Sequence, residues 1–152
     1  NENIRESFSD FTTLEHRLEF VAQVHGIEFI NDSKATNVNS TWYALESQTK
    51  PVIWIVGGID KGNDYSLITD LVKKKVKAIV CLGKDNTRIQ QAFSKLVDIV
   101  VNTESMRDCV EMAYRLGNNG DVVLLSPACA SFDLFENFED RGNQFKARVR
   151  EL

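Results

Sequence analysis

Asp32, Ser33, Lys34, Thr36 and Asn37 put a carboxylate, an ammonium, two hydroxyls and an amide within a six-residue stretch. Two other short segments have the same setting: Gly57-Gly58-Ile59-Asp60-Lys61-Gly62 and Ser126-Pro127-Ala128-Cys129-Ala130-Ser131. Each follows an apolar run and precedes amphipathic spacing, the signature of a strand-to-helix turn. In an open parallel sheet such turns gather outside the carboxyl ends of the strands, where ligands bind. Two lysines, hydroxyls and exposed amides converging there suit a small anionic ligand.

Each segment also has a plainer reading. Thr36 and Asn37 are natural helix N-caps, and a helix amino end favours anions; Lys34 either strengthens that field or pairs with Asp32 at the surface. Gly57-Gly58 allows a sharp turn and close approach to a ligand, with Lys61 as a point charge for a carboxylate or phosphate, or it is a turn with no ligand. Neither GxxxxGK[ST] nor GxGxxG occurs in the chain. The third segment holds only small side chains, with Pro127 fixing its entry. Cys129 reads as a packed thiol, since no histidine motif stands near it to activate it. Arg17 and Arg141 are each able to clamp a carboxylate or phosphate through a planar fork.

Composition narrows the classes. At 152 residues with 43% hydrophobic content, one domain can bury its own core without disulfides or metal. A net charge of -4 argues against nucleic-acid binding, which needs clustered cations on one face. The basic runs Lys73-Lys74-Lys75 and Arg148 to Arg150 fit the negative ends of helices instead. Three unevenly spaced cysteines without CxxC suit a reducing cytoplasm, and His16 and His25 are too isolated to suggest a metal site. With no leader and no apolar stretch near the roughly 20 residues that span a bilayer, the chain reads as soluble, and its opening Asn1 as that of a piece of a longer protein.

The elements that must position these loops follow from periodicity. Ile4 to Phe11 suggests a short helix. Leu18 to Val24 and Ile27 to Asn31 flank His25-Gly26 as a β-hairpin. Strands are expected over Pro51 to Val56, Ala78 to Leu82, Val97 to Val101 and Val122 to Leu125. Helical stripes lie between them: Val38, Trp42 and Leu45; Leu67, Ile68, Leu71 and Val72; Ile89, Phe93 and Leu96; Met106 to Leu116. A last helix is expected from near Asp133, with Asp133 and Glu136 as a capping box and Phe135, Phe138, Phe145 and Val149 as its apolar face. Gly142 inside it costs about 1 kcal/mol relative to alanine, so either something approaches closely there or the helix breaks. The fold class is α/β: a Rossmann-like, mostly parallel sheet flanked by helices, with an N-terminal β-hairpin.

His16-Arg17, Asn31 to Asn37, Gly57-Gly58 with Asp60-Lys61, and Ser126 to Ser131 with Asn137-Phe138-Glu139 and Arg141-Gly142 together resemble the carboxyl-terminal domain of the D-glutamate-adding Mur ligases. The resemblance covers residues 14–152, leaving 1–13 as a linker or short helix from a preceding domain. Other Mur ligases and folylpolyglutamate synthases share the Rossmann-like domain but differ at the first loop, so Ser33-Lys34-Ala35-Thr36-Asn37 is the specific signal.

The resemblance implies cytoplasmic, ATP-dependent amide formation in peptidoglycan synthesis, with the roles in cell shape and division that follow. The carboxylate of UDP-N-acetylmuramoyl-L-alanine becomes an acyl phosphate, which the D-glutamate amine attacks. It further implies that Thr36, Lys61, Ser131 and Phe138 hold D-glutamate, Phe138 largely through its backbone, with a main-chain contact from Phe132. Lys34 is the implied catalytic group, and Arg17 and Asp32 approach the nucleotide. ATP and Mg2+ would be held mainly by a central domain upstream, so this chain alone is expected to fold without catalysing. Asn39, where many relatives are expected to carry a smaller residue, and Ile59, inside the glycine-rich loop, bear on the path of the loops. Two alternatives remain at this point: a stand-alone anion-binding regulatory module, and the same domain of another Mur ligase or a folylpolyglutamate synthase.

Overall fold

His25 and Gly26 both adopt positive φ (50° and 81°), the conformation a two-residue hairpin turn needs to match the twist of its strands. They join β1 (Glu19–Val24) to β2 (Ile27–Asn31) in antiparallel pairing. The computed structural model describes residues 15–152; the helix expected over Ile4 to Phe11 and the assignment of residues 1–13 lie outside the described residues.

From β2 onward the sheet is parallel. It is completed by β3 (Val52–Val56), β4 (Val76–Leu82), β5 (Val100–Thr103) and β6 (Val122–Leu125), in the order β1-β2-β6-β3-β4-β5. Every residue of β3 and β6 is buried, because helices cover both faces. That double cover explains why these strands read as unbroken apolar runs rather than as alternation.

On one face lie α1 (Val38–Glu46), a 3-10 turn (Tyr65–Ile68) running into α2 (Thr69–Lys75), and α3 (Thr87–Phe93), packed on Trp54, Val56, Ile79 and Leu124. On the other lie α4 (Met106–Leu116) and α5 (Phe138–Arg150), packed on Ile53, Ile55, Val80 and Leu125. The basic runs sit where the helix dipole favours them, in the last turns of α2 and α5. Lys75 does more: its Nζ donates to the carbonyls of Leu45, Glu46 and Gln48 at 3.1, 2.6 and 2.8 Å, capping the end of α1.

Four boundaries or faces differ from expectation. β4 starts at Val76, directly after α2, with no intervening loop. β5 starts only at Val100, because Val97 closes the end of α3 through its amide to the Phe93 carbonyl at 3.1 Å. Trp42 is turned outward, 37% exposed and edge-on to Tyr43, while Thr41 and Ala44 join Val38 and Leu45 on the buried face of α1. The last helix begins at Phe138, capped by Asn137, whose side chain accepts from the Asp140 amide at 2.7 Å. Asp133 instead accepts from the amides of Lys84 and Leu134 at 3.1 and 2.9 Å, so the chain from Ser131 to Asn137 stays a turn at the sheet edge.

Gly142 lies inside an unbroken α5 because His16 presses against it. A Cβ there would overlap the His16 ring and come within 3.1 Å of Asn31 Nδ2. The imidazole is buried, and burial holds its pKa below the usual value. The neutral ring accepts from Asn31 Nδ2 at Nδ1, 2.9 Å away. Gly142→Ala should therefore destabilise the domain by about 1–3 kcal/mol even though alanine favours helix, as read by the urea midpoint. The double variant Gly142→Ala/His16→Ala should be more stable than the summed single losses predict; strict additivity would refute the contact.

Candidate functional site

After β2 the chain crosses β6 to reach β3, moves outward to β5, and only then returns to β6. Helices from opposite faces therefore diverge around β6, and the loops after β2, β3 and β6 lie side by side in the crevice. Arg17 and Leu18 join them, since β1 runs antiparallel and starts at this edge.

The first loop is pinned at several points. The Asp32 amide donates to the Leu125 carbonyl at 2.7 Å, and the Lys34 amide to the His16 carbonyl at 3.0 Å. Asn37, rather than Thr36, caps α1 by accepting from the Ser40 amide at 2.9 Å. The Asp32 carboxylate accepts from the Leu18 amide and the Ser126 hydroxyl at 3.1 and 2.8 Å. Burial pushes this carboxyl up to about 6, against the pull of Ser126, Leu18 and the Arg17 guanidinium. The surface pairing of Lys34 with Asp32 does not form among the described residues; Lys34 Nζ lies 4.7 Å from the centre of the Phe138 ring.

The second and third loops are stitched together. Ile59 and Ala130 form an antiparallel bridge, with N to O distances of 2.8 and 3.2 Å, and the Asn63 side-chain amide donates to the Ala128 carbonyl at 2.8 Å. Gly58, at φ 137°, permits this closeness: a Cβ there would strike the Ala130 carbonyl. Cys129 is packed beneath the bridge, and burial pushes its thiol up to about 11, far from a reactive thiolate at neutral pH.

Arg141 corrects the expectation of a ligand clamp. It is 1% exposed and points inward. Its Nε donates to Ser33 Oγ at 3.0 Å, Nη2 to the Ser33 carbonyl at 2.8 Å and Nη1 to the Cys129 carbonyl at 3.0 Å. Ser33 Oγ in turn donates to the Phe138 carbonyl at 2.7 Å. Burial lowers the guanidinium to about 10, so it stays protonated at neutral pH and ties the first loop, the third loop and α5 into one unit.

Two adjoining clefts result. One of about 450 Å³ is lined by Thr36, Lys61, Asn63, Ser131, Phe132 and Phe138. The other, of about 520 Å³, is lined by Arg17, Asp32, Lys34 and Tyr43 and shares Thr36 and Phe138 with the first. All eight site residues singled out from the sequence thus meet at one sheet edge. Asn63 and Tyr43 were not foreseen, since an asparagine and a tyrosine at those places are unremarkable in sequence. A larger hollow of about 830 Å³ opens beyond β4 and β5, where Asp85, Glu104, Asp108 and Glu111 outnumber Lys84 and Arg115, a poor match for an anion. Among the described residues no group of three His, Cys, Asp or Glu is placed to hold a metal ion, and no helix is long and apolar enough to cross a membrane.

A family model described as Mur ligase, glutamate ligase domain, matches residues 16–129. The chain is 60% identical, over 99% of its length, to the UDP-N-acetylmuramoylalanine--D-glutamate ligase of Christiangramia forsetii, and 57% identical over 99% to the ligase of that name from Bacteroides thetaiotaomicron. It spans 34% of the length of each. Among solved structures it is similar to MurF from Acinetobacter baumannii, with a TM-score of 0.59 at 17% identity, covering 91% of this chain and 31% of that one. It is also similar to MurF from Thermotoga maritima in complex with ADP, with a TM-score of 0.53 at 11% identity, covering 90% of this chain and 31% of that one. At such identities the structural likeness speaks to the fold.

Proposed function

The chain belongs to the Mur ligase family through its glutamate ligase domain, and from that premise we propose that it is the amino-acid-binding domain of a ligase that joins D-glutamate to UDP-N-acetylmuramoyl-L-alanine in cytoplasmic peptidoglycan synthesis. The observation that carries this reading is the first cleft, where three loops and the start of α5 gather Thr36, Lys61, Ser131, Phe132 and Phe138. D-glutamate brings two carboxylates, and the Lys61 ammonium and Ser131 hydroxyl supply a charge and a donor for them. Phe132 and Phe138 wall the cleft and offer main-chain contacts. The names of the relatives, at 57–60% identity, support D-glutamate over other amino acids.

The second cleft suits a nucleotide. The Arg17 fork matches a phosphate and the Asp32 carboxylate is able to accept from a hydroxyl. ATP with Mg2+, held mainly by a preceding domain, would supply the phosphoryl group that activates the acceptor carboxylate. Lys34 faces the junction of the clefts, where its ammonium would balance charge building on the reacting oxygens. This chain's part is to orient the amine of D-glutamate toward that junction and keep water out. The amide bond then forms from that nitrogen to the acyl carbon as phosphate leaves.

The test is phosphate release by the full-length protein with UDP-N-acetylmuramoyl-L-alanine and a panel of amino acids. D-glutamate should be the preferred substrate; preference for L-alanine or a diamino acid would overturn the reading. The 152-residue chain alone should release no phosphate in response to D-glutamate.

A further inference from the structure

We propose that Arg88, which lies outside both clefts, is a positioning residue that holds the Lys61 loop in register for the D-glutamate carboxylate. The inference deepens the proposed function and rests on the first cleft being the D-glutamate site.

Lys61 sits on a short turn that is fixed from two sides. On the inner side the Ile59 to Ala130 bridge and the Asn63 to Ala128 bond tie it to the third loop. On the outer side the Asp60 carboxylate gathers the turn: Oδ1 accepts from the Gly62 and Asn63 amides at 2.9 and 2.8 Å, and Oδ2 from the Tyr65 hydroxyl at 2.8 Å.

Arg88, from α3, then spans the turn with both arms of its fork. Nη1 donates to Asp60 Oδ1 at 2.9 Å, ahead of Lys61, and Nη2 to the Asn63 carbonyl at 2.8 Å, beyond it. The guanidinium also lies 5.9 Å from the Tyr65 ring centre. Burial raises the Asp60 carboxyl, but the Asn63 amide, the Tyr65 hydroxyl, the Gly62 amide and Arg88 together hold it below the usual carboxylate range, so Asp60 is ionised at neutral pH. A planar fork can bracket the two ends of a turn, which a single ammonium cannot.

Two features predict what losing this brace would do. The Arg88 side chain is 51% exposed, and Asp60, 14% exposed, keeps the Gly62, Asn63 and Tyr65 donors when Arg88 is removed, so the loss to overall stability should be small. The braced turn contributes Lys61 and Asn63 to the first cleft and no residue to the second. The effect should therefore fall on D-glutamate alone.

Steady-state kinetics of the full-length ligase test this. Arg88→Ala should raise the KM for D-glutamate about tenfold while kcat and the KM for ATP stay within about twofold and the melting temperature holds. Arg88→Lys should recover part of the loss. In a Lys61→Ala background, Arg88→Ala should raise that KM no further. An unchanged KM for D-glutamate, a parallel rise for ATP, or additivity with Lys61→Ala would overturn the role of Arg88. If the unsubstituted enzyme does not use D-glutamate at all, the reading of the cleft falls first; if it does and Arg88→Ala is silent, only the brace falls.

Discussion

Arg141→Met is expected to cost the domain about 3 kcal/mol, the largest stability loss of any single change considered, because two buried carbonyls lose their donor at once. The Ser33 and Cys129 carbonyls are each bonded at 2.8–3.0 Å by this guanidinium, and Ser33 Oγ by its third nitrogen. Leaving a buried acceptor unpaired costs about 1–3 kcal/mol, offset in part by no longer burying a cation. For a domain of this size the melting temperature should fall by roughly 6–12 °C. Arg141→Lys should recover little, since one ammonium cannot reach three acceptors in different directions. Thermal or urea unfolding decides it: a variant that melts within 2 °C of the parent, by the scaling of about 2–4 °C per kcal/mol, would mean that water or backbone shifts satisfy those carbonyls instead.

The role of Arg141 also marks where sequence reasoning stops. From the sequence the planar fork of Arg141 reads as a clamp for a ligand's carboxylate or phosphate. Its partner Ser33 lies 108 residues away in the chain and is brought to it by the order β2-β6-β3, while Cys129 lies 12 residues before it, in the third loop. The contact of Arg88 with Asp60 is equally invisible in the sequence, since the two lie 28 residues apart on different elements. What the sequence displays well is local: the buried strands as apolar runs, the hairpin as His25-Gly26, and the loops that gather at one sheet edge as small and charged residues following three of the strands. Gly142 was visible as an anomaly, but its cause, His16, was not. Asp133 is a sound cap on paper, but the structure gives that place to Asn137. The choice between them was made by packing, since the Phe135 amide closes a turn onto the Ser131 carbonyl at 2.9 Å and delays the helix. Val97 misled in the opposite way, as an apolar residue beside a strand that in fact seals a helix.

Lys34→Met in the full-length ligase should lower kcat by about 10²–10³-fold while D-glutamate affinity, measured at equilibrium, changes little. The geometry favours a rate effect over a binding effect. Lys34 lines the cleft that holds Arg17 and Asp32, and its Nζ lies 4.7 Å from the centre of the Phe138 ring, which borders both clefts. Its backbone is fixed by the bond from its amide to the His16 carbonyl at 3.0 Å and by the grip of Arg141 on Ser33. A charge held in place before reaction costs no reorganisation when negative charge builds on the transferring oxygens. Lys61→Met supplies the contrast: it removes a charge lining the first cleft, the proposed amino-acid site, and should mainly raise the KM for D-glutamate. The two lysines therefore separate by kinetic signature. If Lys34→Met instead raised only that KM and left kcat intact, Lys34 would belong to the amino-acid cleft, and the chemistry would have to draw its positive charge from Arg17 or from the preceding domain.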